Sequence, residues 1–63
     1  MRARIKKQIL EEDINKIKDR ELRKIGYMYY IEHLSMLDIA FELNYSEITI
    51  KRRIKEIKTR FNT

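Results

Sequence analysis

Cysteine and proline are both absent from this sequence of 63 residues, and glycine and histidine each occur once. Without cysteine the chain has no disulfide and no thiolate metal site, and a single histidine argues against a zinc cluster. The shortage of proline and glycine disfavours a β architecture built on tight turns. No apolar run approaches the ~18 residues of a membrane span, and no signal-peptide core follows the basic start. We therefore expect a small, cytoplasmic, all-α protein with no metal, no cofactor and no membrane segment.

Positive charge is in excess, and it is concentrated at the two ends of the chain. Lys and Arg number 15 against 10 Asp and Glu, which gives a net charge of +5. Residues 1–10 and residues 46–63 each carry +4, whereas residues 11–45 between them carry −3. A basic face confined to one element is typical of phosphate binding, so a polyanion is the first partner to consider. The alternative is a solvated helix surface without a bound partner.

The last segment is the clearest helix, and we place it over residues 46–60. Its apolar residues recur at helical spacing and form one stripe, made of Ile50, Ile54, Ile57 and Phe61. Ser46 is suited to cap the start of this helix, and Glu47 in the first turn complements the helix dipole. The basic residues fall off the apolar stripe, toward water or a partner.

A shorter helix, over residues 35–43, precedes it. Ser35 is a suitable N-cap, and Asp38 has the spacing of a capping-box partner. The helix should end near Asn44, because asparagine tolerates the left-handed conformation better than most residues other than glycine. Two short helices joined by so tight a turn must cross steeply, which is the geometry of a helix-turn-helix.

A third helix is expected from Leu22 to Glu32, with Asp19 as its N-cap. Gly26 lies inside it at a cost of about 1 kcal/mol relative to alanine, for which close approach of a neighbouring helix is the expected reason. His33, which follows the helix, is expected to be a turn residue in the left-handed region.

Residues 1–18 form the remaining segment, whose apolar residues follow two different helical stripes. Leu10, Ile14 and Ile17 make one stripe, and we expect it to pack on the rest of the domain. Ile5 and Ile9 make the other, which has no evident partner in so small a monomer. Either the helix starts late and Ile5 lies in a loose arm, or this second side forms a homodimer interface. We divide the chain into this segment and a helix-turn-helix domain over residues 19–63.

A short pattern in the second half of the chain carries a family resemblance. The pattern is an apolar residue before alanine, a later leucine, a serine that opens the second helix, then Thr-aliphatic-Lys and a further aliphatic residue: Ile39, Ala40, Leu43, Ser46, Thr49, Ile50, Lys51 and Ile54. A Glu-x-Leu-Ser lead-in at residues 32–35 accompanies it. Residues 19–61 thereby resemble the helix-turn-helix of sigma factor region four, and are similar to the LuxR-type DNA-binding domain. His33 and Asn44 stand where that family often has glycine.

The resemblance implies a small sequence-specific regulator of transcription that binds double-stranded DNA. Its second helix would enter the major groove, which is about 12 Å wide and admits one helix. The residues expected to contact DNA are Ser46, Glu47, Ile48, Thr49, Lys51, Arg52, Arg53, Lys55 and Lys58. An arm along the DNA backbone or in the minor groove would use Arg2, Arg4, Lys6 and Lys7. Ile48 is read either as a contact to a thymine methyl group or as an ordinary surface hydrophobe.

Two other classes of function were weighed against DNA binding. An enzyme is not expected, because the chain has no cysteine, a single histidine, no glycine-rich phosphate loop and no paired carboxylates placed in a recognisable cleft. The rival is a protein-interaction module, since the resemblance also implies contact with an RNA polymerase subunit. Such a module would act as an adaptor or an anti-factor without reading DNA. The 63 residues exclude a complete sigma factor and a complete response regulator, and the initial Met favours a stand-alone product.

Overall fold

The computed structural model describes residues 9–61. This part of the chain forms four α-helices, and the second runs on into a π-helical segment, Tyr27–Ile31. The α-helices are α1 (Glu11–Asn15), α2 (Arg20–Gly26), α3 (Met36–Leu43) and α4 (Glu47–Phe61). No strand occurs in the described range, so the predicted all-α bundle of about four helices is confirmed. No helix within residues 9–61 has the length and apolar character to cross a membrane.

Helices α2 and α3 begin where side-chain caps were expected. A carboxylate oxygen of Asp19 accepts hydrogen bonds from the backbone N–H groups of Glu21 and Leu22, at 2.9 and 3.1 Å. The Oγ of Ser35 accepts one from the backbone N–H of Asp38, at 3.0 Å. These bonds pair backbone donors that the first turn of a helix leaves without an internal partner.

Within residues 9–61, two residues other than glycine adopt the left-handed conformation, as expected. His33 has φ of 59° and follows the cap of the π-helical segment, and Asn44 has φ of 64° and ends α3. Both turns are short, so each helix is followed almost at once by the cap of the next. Asn44 begins the turn of three residues that joins α3 to α4.

The packing at the start of the described range corrects the expectation for the first segment. Ile9, assigned above to a dimer interface, is only 8% exposed and packs against Ile14, Ile17 and other core residues. Leu10, assigned to the inward stripe, is 50% exposed. The reason is that α1 starts only at Glu11 and Leu10 is extended, and neighbouring side chains of an extended chain point to opposite sides. Ile5 lies outside the described residues, and the homodimer stays a prediction.

Two clusters of buried side chains form the core, and α4 contributes to both. Ile57 joins the cluster built by the first half of the chain, together with Ile9, Ile14, Ile17 and Leu22. The other cluster lies between α3 and the start of α4, and contains Ile25, Ile39, Ala40, Ile50 and Ile54. The apolar stripe of α4 therefore ties the helix-turn-helix to α1 and α2.

Gly26 is buried at the contact between α1, α2 and α4. A Cβ atom at this position would lie 3.0 Å from the Cδ1 atom of Ile14 and 3.1 Å from the Cδ1 atom of Ile57. Both distances are shorter than the ~3.5–4.0 Å at which two carbon atoms attract each other best. The close approach expected from the sequence is confirmed, and it explains why α2 carries its least favourable helix former here.

Candidate nucleic-acid interface

The orientation of α4 is set by its buried stripe. Ile50, Ile54 and Ile57 are at most 1% exposed, which fixes one face of the helix against the core. At about 100° per residue, Ile48, Arg52 and Lys55 lie on the opposite face. All three of these side chains are exposed. The surface that α4 offers to a partner is therefore cationic, with one aliphatic residue at its N-terminal end.

The first turn of α4 is held by two hydroxyl groups. The backbone N–H of Thr49 donates to the Oγ of Ser46 at 3.2 Å, and the two side-chain hydroxyls lie 2.9 Å apart. Ser46 is exposed and Thr49 is half-buried. The structure thus gives both residues a capping role, and the adjoining Glu47 and Ile48 are left pointing outward, with Ile48 69% exposed.

The exposed cations of α4 form no close ion pair with acids of the described chain. The ion pairs found within residues 9–61 both belong to Arg53, which contacts Glu21 at 3.7 Å and Glu56 at 3.3 Å. The exposed basic side chains without such a contact in this range include Lys51, Arg52, Lys55 and Lys58. Because like charges repel when no anion lies between them, this surface favours a polyanion.

Arg53 stands apart from the other predicted DNA contacts. Its side chain is 37% exposed and lies on the side of α4 that faces α2, where the guanidinium group pairs with Glu21. Exposed pairs of this kind contribute only about 0–1 kcal/mol, so they do not lock the side chain. Contact with a phosphate would nevertheless require Arg53 to leave two carboxylates.

The outer face of α3 is apolar and acidic, a feature that the sequence analysis missed. Leu37 is 62% exposed and Phe41 87% exposed, and Asp38 and Glu42 are exposed beside them. Each pair is spaced by four residues, so the two apolar side chains form one row and the two carboxylates form another. Helical spacing would have revealed it, since Leu37 and Phe41 fall off the inward face made by Ile39 and Ala40.

Two basic residues of α2, also unassigned in the sequence analysis, lie near the start of α4. Arg20 and Lys24 are exposed and line a groove of about 240 Å³ together with Glu21, Leu43 and Tyr45. Leu43 and Tyr45 flank the turn between α3 and α4. The signal in the sequence was the spacing of two like charges by four residues.

Two further expectations from the sequence concern a basic arm and a metal site. The basic arm made of Arg2, Arg4, Lys6 and Lys7 lies outside the described residues. Within residues 9–61, no group of three or more His, Asp or Glu side chains is placed to hold a metal ion.

Comparison with known proteins places the chain in a family. No curated protein and no solved structure matches the sequence. Residues 2–62 match the family described as "Protein of unknown function (DUF1492)", so that the match takes in all four helices and most of the basic N-terminal segment. Because the match extends over nearly the whole sequence, this chain belongs to the DUF1492 family.

Proposed function

We propose that this protein is a small sequence-specific regulator of transcription that binds double-stranded DNA through α4. The observation that carries the proposal is the outward face of this helix. Its cations have no acidic partner within residues 9–61, and they lie opposite a fully buried isoleucine stripe. The helix follows a short, capped α3 across a left-handed turn, which is the order of elements in a helix-turn-helix.

In this proposal, α4 enters the major groove with its first turns against the base edges. Ile48 would contact a thymine methyl group, and Glu47 would accept a hydrogen bond from a cytosine amino group. Lys51 and Arg52 would pair with guanine or with phosphate. Lys55 and Lys58 would lie against the sugar-phosphate backbone, where contacts set the register of the protein and carry no sequence information.

The resemblance of residues 19–61 to sigma factor region four and to LuxR-type domains supports the same function. In both families this pattern belongs to a helix-turn-helix that reads DNA. The described caps of α3 and α4, and the left-handed conformations of His33 and Asn44, are compatible with that pattern.

The decisive experiment is selection of bound duplexes from a random pool at about 0.15 M salt, where nonspecific binding is already weak. We expect a defined sequence to be enriched. The variant Lys51→Ala/Arg52→Ala should lose preference for that sequence, while its helix content, measured by circular dichroism, stays unchanged because both side chains are exposed. A matched control is Lys16→Ala/Lys18→Ala, which removes the same charge from the exposed linker between α1 and α2. Normal binding of the selected duplex by the Lys51/Arg52 variant would refute the role of α4.

A second candidate function is supported by the outer face of α3. A surface with Phe41 87% exposed and two carboxylates beside it is suited to a protein partner with apolar and basic side chains. This face would serve an interaction module that binds an RNA polymerase subunit. Purified RNA polymerase should then retain the wild-type protein and the Lys51/Arg52 variant but not Leu37→Ser/Phe41→Ser. Equal retention of all three would remove the candidate.

A further inference from the structure

A ridge of two cations on α2, made of Arg20 and Lys24, has no partner in the described chain. The two residues are spaced by four, so their side chains lie on one face of the helix. Both are exposed, and neither has a carboxylate within ion-pair distance among residues 9–61. Like charges at this spacing destabilise a helix, and Arg20 also opposes the helix dipole because it lies in the first turn. The repulsion between the two charges and the position of Arg20 are therefore unfavourable in the isolated protein, whereas Lys24 lies in the last turn of α2 and complements the dipole.

The other charged residues of α2 are already engaged. A guanidinium N–H of Arg23 donates to the backbone carbonyl oxygen of Ile17 at 2.8 Å, which fixes the linker between α1 and α2. Glu21, which lines the same groove as the ridge, lies 3.7 Å from Arg53 of α4. Arg20 and Lys24 are consequently the cations of this helix that are free to meet a ligand.

The ridge lies next to the start of the recognition helix. Arg20, Lys24 and Tyr45 line the same groove of about 240 Å³, and Tyr45 directly precedes the residue that caps α4. Helix α2 packs against the middle of α4 through Ile25, which shares a cluster with Ile50 and Ile54, and Glu21 lies 3.7 Å from Arg53 at the same contact. When the first turns of α4 lie in the major groove of DNA, the DNA strand at the edge of that major groove would therefore pass close to Arg20 and Lys24.

We propose that Arg20 and Lys24 bind phosphates of the DNA strand that flanks the major groove entered by α4. This inference rests on the proposed function. A phosphate between the two side chains would remove their mutual repulsion and would anchor the protein from a second helix. Such a contact fixes the orientation of the recognition helix without reading sequence.

The salt dependence of duplex binding tests the ridge. The variant Arg20→Gln/Lys24→Gln removes both charges and keeps a polar side chain and a good helix former at both positions. If each cation meets one phosphate, the slope of log K against log salt should become shallower by about 1.8, at about 0.9 per contact. The sequence selected from the random pool should stay the same, because backbone contacts carry no sequence information.

The control is Lys16→Gln/Lys18→Gln, which makes the same change in net charge. These residues adjoin Ile17, which packs with Ile57 in the C-terminal half of α4, and neither of them lines the groove at Tyr45. We expect the slope of the control to equal that of the wild type. An equal change in both variants would show an effect of net charge alone and would overturn the proposal.

The remaining outcomes separate the ridge from the proposed function. If the wild type binds its duplex and the Arg20/Lys24 variant has an unchanged slope, the ridge proposal alone is wrong. Loss of binding to a polyglutamate peptide, with the slope on DNA unchanged, would assign the ridge to an acidic protein segment instead. If the wild type selects no duplex at all, the proposed function fails and the ridge proposal fails with it.

Discussion

Gly26 offers a direct test of how the two halves of the fold are joined. Replacement by alanine improves helix propensity by about 1 kcal/mol. The added methyl group would lie 3.0 Å from Cδ1 of Ile14 and 3.1 Å from Cδ1 of Ile57. Overpacking of this kind costs about 1–3 kcal/mol. We therefore expect Gly26→Ala to lower the free energy of unfolding by about 0–2 kcal/mol, out of the ~3–5 kcal/mol that a core of this size supplies.

Removal of one crowding methyl group should reverse part of this loss. Ile14→Val deletes the Cδ1 atom and alone should cost about 0.5–1.5 kcal/mol, because Ile14 is fully buried. In the double variant the new methyl group occupies part of the space that the deleted one leaves. Since Ile14 accounts for one of the two close contacts, we expect a favourable coupling energy of about 0.5–1.5 kcal/mol, half of the overpacking cost.

The measurement is urea unfolding of the wild type, both single variants and the double variant, followed by circular dichroism. Ile39→Val is the matched control, since it deletes the same methyl group from a residue with 0% exposure in the other cluster. Its effect should simply add to that of Gly26→Ala. If the Ile14 pair is also additive within about 0.3 kcal/mol, the close approach at Gly26 does not exist in solution and the argument is wrong.

Two further predictions concern a buried hydroxyl and a left-handed turn. The hydroxyl of Tyr30 is buried without a hydrogen-bond partner in the described part of the chain. Tyr30→Phe should therefore leave the free energy of unfolding unchanged or raise it by up to about 1 kcal/mol. A decrease of more than about 1 kcal/mol would show that the hydroxyl has a hydrogen-bond partner after all. Burial, and secondarily the neighbouring Tyr29, raises the pKa of Tyr30 above its ordinary value of 10.0. Tyr30 therefore ionises at a lower pH in the unfolded chain than in the folded one, so that the free energy of unfolding is unaffected below pH ~10 and falls as pH rises through the folded-state pKa. Tyr30→Phe should weaken this decline, which urea titrations at several pH values measure. Asn44 has φ of 64°, so Asn44→Val should lower the melting temperature through a cost of about 1–2 kcal/mol, whereas Asn44→Gly should stay close to the wild type; equal effects of the two would exclude backbone strain as the cause.

Much of the architecture followed from local patterns in the sequence. The caps at Asp19 and Ser35 were predictable because each carboxylate or hydroxyl bonds a backbone N–H only two or three residues away. The left-handed turns at His33 and Asn44 were also predictable from the local sequence, because they depend on residue type and on where a helix must end. The order of the last two helices required nothing beyond these signals and the apolar period.

The candidate interface was predictable only in outline. The spacing of the isoleucines in α4 was sufficient to place Ile48, Arg52 and Lys55 on the outer face, because helical geometry assigns faces by residue number. The spacing did not reveal that Arg53 lies against Glu21, or that Arg20 and Lys24 share a groove with Tyr45. Those contacts join residues of different helices, and local sequence patterns do not determine the angles between helices.

The sequence by itself determined helices α3 and α4, the caps at Asp19 and Ser35, the left-handed turns and the cationic face of α4, since hydrogen bonds and periodicity within a few residues decide them. Only the tertiary structure decided that Ile9 is buried and Leu10 exposed, that α2 passes into a π-helical turn, and that Gly26 meets the side chains of two other helices. Each of these depends on which distant segments pack together. Packing selects among arrangements that the local chain allows equally, and it does so through contacts that form only when the whole core closes.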